Sequence, residues 1–216
     1  MSRVDKATKG FFTSILQFFT LSVAQLFLTP YILNVAGSGV LGSYAFIMQI
    51  LGLGLLIDLG INVSLNRFLS QSFTEGKATQ DFFVFLRLGR GLIFIINILI
   101  GLMIIFVALN LDAFLKVDPI LFSEVRLSLF LLAIWHFIRT PFQIYIYATH
   151  ATQNMSKSNQ ILIFSNLFRI LVIVILLEIG YGLSGLVFGY LIAELSAYLI
   201  HTFWFRNRYR NVYDKL

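Results

Sequence analysis

Six separate stretches of mostly apolar residues constrain this chain more than any other feature. They cover residues 11–34, 40–63, 91–111, 127–147, 161–179 and 183–205. A helix needs roughly 20 such residues to cross the hydrocarbon core of a bilayer. Two breaks are short and carry turn residues, NVAGSGV at 34–40 and GYG at 180–182. Before the third stretch, residues 79–90 are amphipathic, and we expect them to extend the third helix along the inner interface. The pattern predicts an all-α integral membrane protein with six transmembrane helices.

The composition agrees with a lipid environment. The 216 residues are 58% hydrophobic and only 12% charged, and the mean hydropathy is +0.86. Ordinary soluble domains carry about twice that share of charged residues. The chain has no cysteine, which excludes disulfides and thiolate metal sites.

The positions of lysine and arginine predict the orientation. If the N-terminus is cytoplasmic, twelve of the 16 basic residues fall in inner segments, and only Lys116 and Arg126 fall outside. An even number of spans returns the chain to the same side. We therefore expect a multi-pass protein of the cell membrane with both termini in the cytoplasm. This asymmetry also accounts for the net charge of +6 without nucleic acid.

Four charged residues lie in the interior of the apolar stretches, away from their ends, namely Asp58, Arg139, Arg169 and Glu194. A charge at the centre of a membrane helix costs about 2.5–3.5 kcal/mol on insertion scales. Such residues therefore face protein or a water-filled cavity rather than lipid. We expect them to line a hydrated cavity within a helical bundle.

Neighbouring polar residues extend these charges into stripes along single helix faces. Asn62 follows Asp58 by four residues, and His136 and Gln143 flank Arg139 at helical spacing. The candidate cavity residues are Asp58, Asn62, His136, Arg139, Gln143, Arg169 and Glu194. A plainer reading keeps Asp58 paired with Arg139, and Arg169 with Glu194, as packing locks without a substrate role.

Two helices carry signals of packing instead. The third has Asn97 as its one central polar residue, so we expect it to serve lipid contact and packing alone. On the sixth, Gly185, Gly189, Ala193 and Ala197 recur every four residues, which lets another backbone approach closely.

Residues 29–71 carry a recognisable pattern. A proline ends the first helix, a glycine-rich turn leads into G-V-L-G-S-Y, and the second helix closes with D-L-G and an arginine. The residues are Pro30, Gly39, Leu41, Gly42, Tyr44, Asp58, Leu59, Gly60 and Arg67. This pattern resembles the polysaccharide biosynthesis (O-antigen type) family of lipid-linked oligosaccharide flippases, within the multidrug/oligosaccharidyl-lipid/polysaccharide exporter superfamily.

The resemblance implies a transporter of two six-helix lobes that enclose a central cavity and open alternately to either side. A polyprenyl-pyrophosphate-linked oligosaccharide would cross with its polar head in the cavity and its tail in lipid. Arg139 and Arg169 would attract the pyrophosphate. Neither a cofactor nor a metal is implied.

The chain is about half as long as members of that family. Residues 1–216 would form a single lobe, with 206–216 as a basic cytoplasmic tail or linker to a second lobe. The second lobe would come from a longer gene product, from a split partner or from self-association.

Three other functions remain open. A cation-coupled multidrug exporter shares the superfamily fold, although residues 11–34 contain no acidic residue for ion exchange. A non-transporting membrane partner of a glycan pathway would need no cavity. An enzyme using His136 has little support, because His136, His150 and His201 show no metal-ligand spacing and no phosphate-binding loop is present. We predict that the chain is not an enzyme.

Overall fold

The computed structural model describes the backbone of residues 3–74, 77–115 and 119–210. The side chains of residues 3, 4, 6, 7, 55–59, 61, 62, 74, 77 and 120 lie outside the described part. Six helices make up nearly all of this backbone. They are α1 (Arg3–Gln71), α2 (Gln80–Leu109), α3 (Leu111–Phe114), α4 (Pro119–Ala151), α5 (Met155–Glu178) and α6 (Gly182–Arg208).

A very short hairpin joins α1 to α2. Strand β1 (Phe73–Thr74) pairs antiparallel with β2 (Lys77–Ala78), and Phe73 lies opposite Ala78. Thr79 closes the connection, because its backbone N–H and its hydroxyl both donate to the carbonyl of Ser72, at 3.1 and 2.8 Å.

The structure confirms an all-helical membrane architecture but not the count of six spans. Within the described ranges, five helical segments are long and apolar enough to cross a membrane. They are Thr8–Gly54, Gln80–Leu109, Leu121–Ala151, Met155–Glu178 and Gly182–Arg208. The first two predicted stretches both fall on α1, whereas the other four correspond to α2, α4, α5 and α6.

The physical reason for the difference is the break between the first two stretches. It consists of one non-helical residue, Gly37, with φ 85° and ψ 171°. Residues other than glycine rarely adopt a positive φ. Glycine therefore allows the backbone to turn at this position without a loop. We refer below to residues 3–36 as the first half of α1.

Helix α4 lies at the centre of the bundle. It packs against α2, α6 and α1, and α5 packs against α6 and α1. One core contains Ile47, Ile100, Leu129 and Val187, and so joins α1, α2, α4 and α6. The first half of α1 contributes much less to the interior. Phe11, Phe12, Phe18 and Phe27 of this half are each more than 60% exposed.

Candidate functional site

Polar residues of three helices meet inside the bundle. Helix α4 places His136, Arg139 and Gln143 in the interior, with 3%, 7% and 5% of each residue exposed. They lie at i, i+3 and i+7, so they project from one face of the helix. Glu194 on α6 is half-buried beside them. The structure therefore brings together four of the seven candidate cavity residues.

The predictions for Asp58 and Asn62 stay untested. Both residues lie on α1, but their side chains are outside the described part. The proposed pairing of Asp58 with Arg139 therefore remains a prediction.

Asn97 on α2 is the centre of the interior network, and only 1% of it is exposed. Its Oδ1 accepts hydrogen bonds from Nε and Nη2 of Arg139 at 3.1 and 3.0 Å, and lies 3.1 Å from Nδ1 of His136. Its Nδ2 donates to Oε1 of Gln143 at 2.9 Å. The expectation that α2 serves lipid contact and packing alone was wrong.

A signal for Asn97 was present in the sequence. It shares a helix face with Ile93, Gly101 and Ile104, at spacings of four, four and seven residues, and all of them are buried. A small residue one turn away indicates a close helix neighbour. Phe137 of α4 lies within 3.1 Å of the Cβ position that a side chain at Gly101 would occupy.

Arg139 forms a salt bridge with Glu194, with 3.4 Å between Nη1 and Oε1. The indole N–H of Trp135 donates to Oε2 of Glu194, and the hydroxyl of Tyr198 donates to Oε1 at 3.4 Å. The expected pairing of Arg169 with Glu194 was wrong, because the carboxylate of Glu194 forms its salt bridge with Arg139. Trp135 was missed, although a buried indole N–H usually needs an acceptor.

The remaining polar atoms of α4 extend this network toward its C-terminal end. Nε2 of Gln143 donates to the Tyr147 hydroxyl at 3.0 Å. Nε2 of His136 is buried and has no hydrogen-bond partner among the residues that are described. Together these contacts connect α2, α4 and α6 through one continuous polar network. The positive charge of Arg139 in this network is neutralised by Glu194.

Arg169 has a different environment. It is half-buried on α5, and its Nε and Nη2 are both shielded from solvent, with no hydrogen-bond partner in the described part of the chain. It lines a recess of about 120 Å³ between α5 and α6. The polar residues of this recess are Ser165, Asn166, Arg169, Tyr190 and Glu194. A buried guanidinium with two unused donors is costly unless a ligand or water accepts them.

Close packing of α5 and α6 fixes the shape of this recess. A Cβ at Gly189 would lie 2.5 Å from Cγ1 of Ile173, so only glycine allows this approach. Ala193 and Ala197 continue the contact and are buried. The Ser165 hydroxyl donates to the carbonyl of Ala193 at 2.5 Å. The small-residue ladder predicted on the sixth helix is confirmed as a helix contact.

A second polar cluster lies near the ends of α4 and α6 that carry His150 and His201. The Ser158 hydroxyl is 2.8 Å from Nε2 of His150 and 3.4 Å from Nε2 of His201. Ser158 and His201 are completely buried. No group of three metal-ligating side chains occurs in the described ranges. The cluster therefore acts as a polar contact between three helices.

Comparisons of the chain with protein families, with characterised proteins and with solved structures find no match.

Proposed function

We propose that this chain is one lobe of a transporter that moves a lipid-linked oligosaccharide across the cell membrane for surface polysaccharide biosynthesis. The observation that carries the proposal is the pair of unused, buried guanidinium donors on Arg169. They face a polar recess inside an apolar bundle. An anionic group that entered the recess would accept hydrogen bonds from both Nε and Nη2 of Arg169.

The chemistry of a phosphate or pyrophosphate fits these donors. Guanidinium groups bind such anions through paired hydrogen bonds, which are stronger than hydrogen bonds between neutral groups. The carboxylate of Glu194 lines the same recess but is held by Arg139, so its charge is partly neutralised. Arg169 would therefore be the main head-group contact, and Arg139 would support the bundle.

A complete transport cavity needs a second wall. The recess lies on one lobe, and about 120 Å³ is too small for an oligosaccharide. We propose that a second six-helix lobe, from the same gene, a split partner or self-association, closes the pathway. Residues 206–216 would connect to it on the cytoplasmic side, where both termini would lie.

One specific observation favours a second candidate function. Because Arg139 and Glu194 satisfy each other, the interior network needs no substrate for its stability. A non-transporting membrane partner of a glycan pathway would have such an interior. The two functions differ in their dependence on Arg169. A cation-coupled exporter lobe would instead depend on a carboxylate such as Glu194 or Asp58.

Substitution of Arg169 in cells that depend on this chain for surface glycan tests the proposal. We expect Arg169→Ala to abolish glycan display and to leave lipid-linked intermediates inside the cell. Arg169→Lys keeps the positive charge and should restore display in part. Arg208→Ala removes an exposed charge at the end of α6 and serves as the matched control. Wild-type display by Arg169→Ala, at equal protein levels, would contradict transport through this recess.

A further inference from the structure

A long apolar groove runs between the first half of α1 and α5, on a different face of α5 from the Arg169 recess. Its volume is about 680 Å³. Ala24 and Leu28 form its floor and are buried, while Phe19, Phe27 and Leu167 form its walls and are more than half exposed. A groove of this size between two helices would be filled by side chains if the helices packed directly.

Polar contacts at both ends hold the two helices at this spacing. At one end, Nδ2 of Asn159 donates to the hydroxyls of Ser14 and Thr13 at 2.8 and 3.1 Å. At the other end, the hydroxyl of Tyr31 donates to Oε1 of Glu178 at 2.5 Å. Because α1 and α5 are joined on either side of the groove, the space between them stays open.

The lining accepts hydrocarbon and little else. Its polar atoms are the hydroxyls of Thr20 and Tyr31, and both already donate, to the carbonyl of Leu16 at 2.8 Å and to Glu178. Water or a polar ligand would find no further donor there. In a bilayer such a space favours an apolar occupant, because hydrocarbon needs no hydrogen-bond partner.

The length of the groove indicates what kind of lipid chain would occupy it. From Leu16 to Tyr31 it extends about 22 Å along α1, at a rise of about 1.5 Å per residue. One leaflet accounts for only about 15 Å of the 30 Å hydrocarbon core. The groove therefore crosses the midplane without a polar interruption. A phospholipid chain anchored at one surface would fill only part of it.

Helix α5 connects this groove to the recess. Leu167 and Arg169 lie about 200° apart around the helix, at nearly the same depth. Ile170 also lines the groove and directly follows Arg169, so the groove and the cationic recess lie on different faces of the same helix. We propose that the groove binds the polyisoprenoid tail of a lipid whose phosphate group binds at Arg169. This inference rests on the proposed function and adds a tail site to it.

Photo-crosslinking of the purified full chain in phospholipid nanodiscs tests this tail site. The probe is a polyisoprenyl phosphate that carries a photoreactive group on its tail, and a phosphatidylcholine with the same group is the comparison. We expect the isoprenyl probe to label peptides containing Phe19, Phe27 or Leu167, and unlabelled polyisoprenyl phosphate to compete. Equal labelling by the phosphatidylcholine probe would show that ordinary lipid fills the groove and would overturn the proposal.

Two variants and one control sharpen the test. Ala24→Phe fills the floor and should reduce labelling about tenfold, as expected when roughly two methylene groups lose their apolar contact. Leu167→Ala removes part of an exposed wall and should reduce labelling without disturbing the buried core. Leu26→Phe lies on the same helix but outside the groove, and should label like wild type. Wild-type labelling by both groove variants would overturn the inference.

Failure of the tail site and failure of the proposed function give different results. If groove labelling is absent while Arg169→Ala still abolishes glycan display, the tail site is wrong and the transporter proposal stands. If the groove is labelled specifically while Arg169→Ala displays glycan normally, the chain binds polyisoprenoid lipid without transporting it through the recess.

Discussion

Arg139 and Arg169 are both arginines within membrane-spanning helices, yet the bundle treats them in opposite ways. Arg139 donates to Asn97 and to Glu194. Arg169 leaves Nε and Nη2 without a partner among the described residues. The comparison shows that depth in the membrane does not decide whether a charged side chain is paired. The partners that the neighbouring helices provide decide whether a buried arginine supports the fold or is available to a ligand.

The largest expected loss of stability comes from substitution of the paired arginine, Arg139. Arg139→Ala leaves the carboxylate of Glu194 without its cation and Oδ1 of Asn97 without its two strongest donors. Breaking a buried ion pair by removing one partner costs about 3–5 kcal/mol, and the partial exposure of Glu194 places the loss at the lower end. Thermal unfolding of the purified chain in detergent should show a clear decrease in Tm. An unchanged Tm would mean that the network is not a structural lock.

Asn97→Leu tests the centre of the same network with a smaller effect. The substitution keeps a similar volume but removes the acceptor of Arg139 and the donor to Gln143. Leaving buried partners unsatisfied costs about 1–3 kcal/mol. We expect a lower Tm than wild type but a higher one than Arg139→Ala. The double variant should lose less than the sum of the single changes, because the two residues are in contact. Strictly additive losses would contradict a shared network.

Arg169→Gln should have the smallest effect on stability. Because Nε and Nη2 make no hydrogen bond with the described residues, the change removes no such contact. Because the change removes a shielded charge and no hydrogen bond, we expect a Tm equal to or slightly above that of wild type. The same Tm measurement, with Arg139→Ala alongside, checks it. A loss as large as that of Arg139→Ala would show that both arginines are structural, and the contrast between them would disappear.

The sequence predicted the helices well because long apolar stretches have few alternatives in lipid. The last four predicted stretches correspond to α2, α4, α5 and α6. The segment 79–90 was expected to extend the third helix, and residues 80–109 do form one helix. The count of six is not matched, because the first two stretches lie on one helical segment that is broken only at Gly37, where a loop was expected.

The site was less predictable, since partners come from residues far apart in the chain. The stripe of His136, Arg139 and Gln143 was evident from helical spacing, and the structure confirms that it is buried. Its contact with Asn97, about 40 residues earlier, was not evident. The spacing around Asn97 could indicate its helix face but not its partners, which only the packing of α2 on α4 decides.

The amino-acid sequence alone determined that the chain forms apolar helices and that a few charges must be shielded from lipid, because hydrocarbon provides no hydrogen-bond partners. The tertiary structure alone decided which charges are satisfied. Helix α6 brings Glu194 to Arg139, and Arg169 lines the same recess as Glu194 but forms no salt bridge with it. Burial is a property of each segment, whereas pairing depends on how the segments pack.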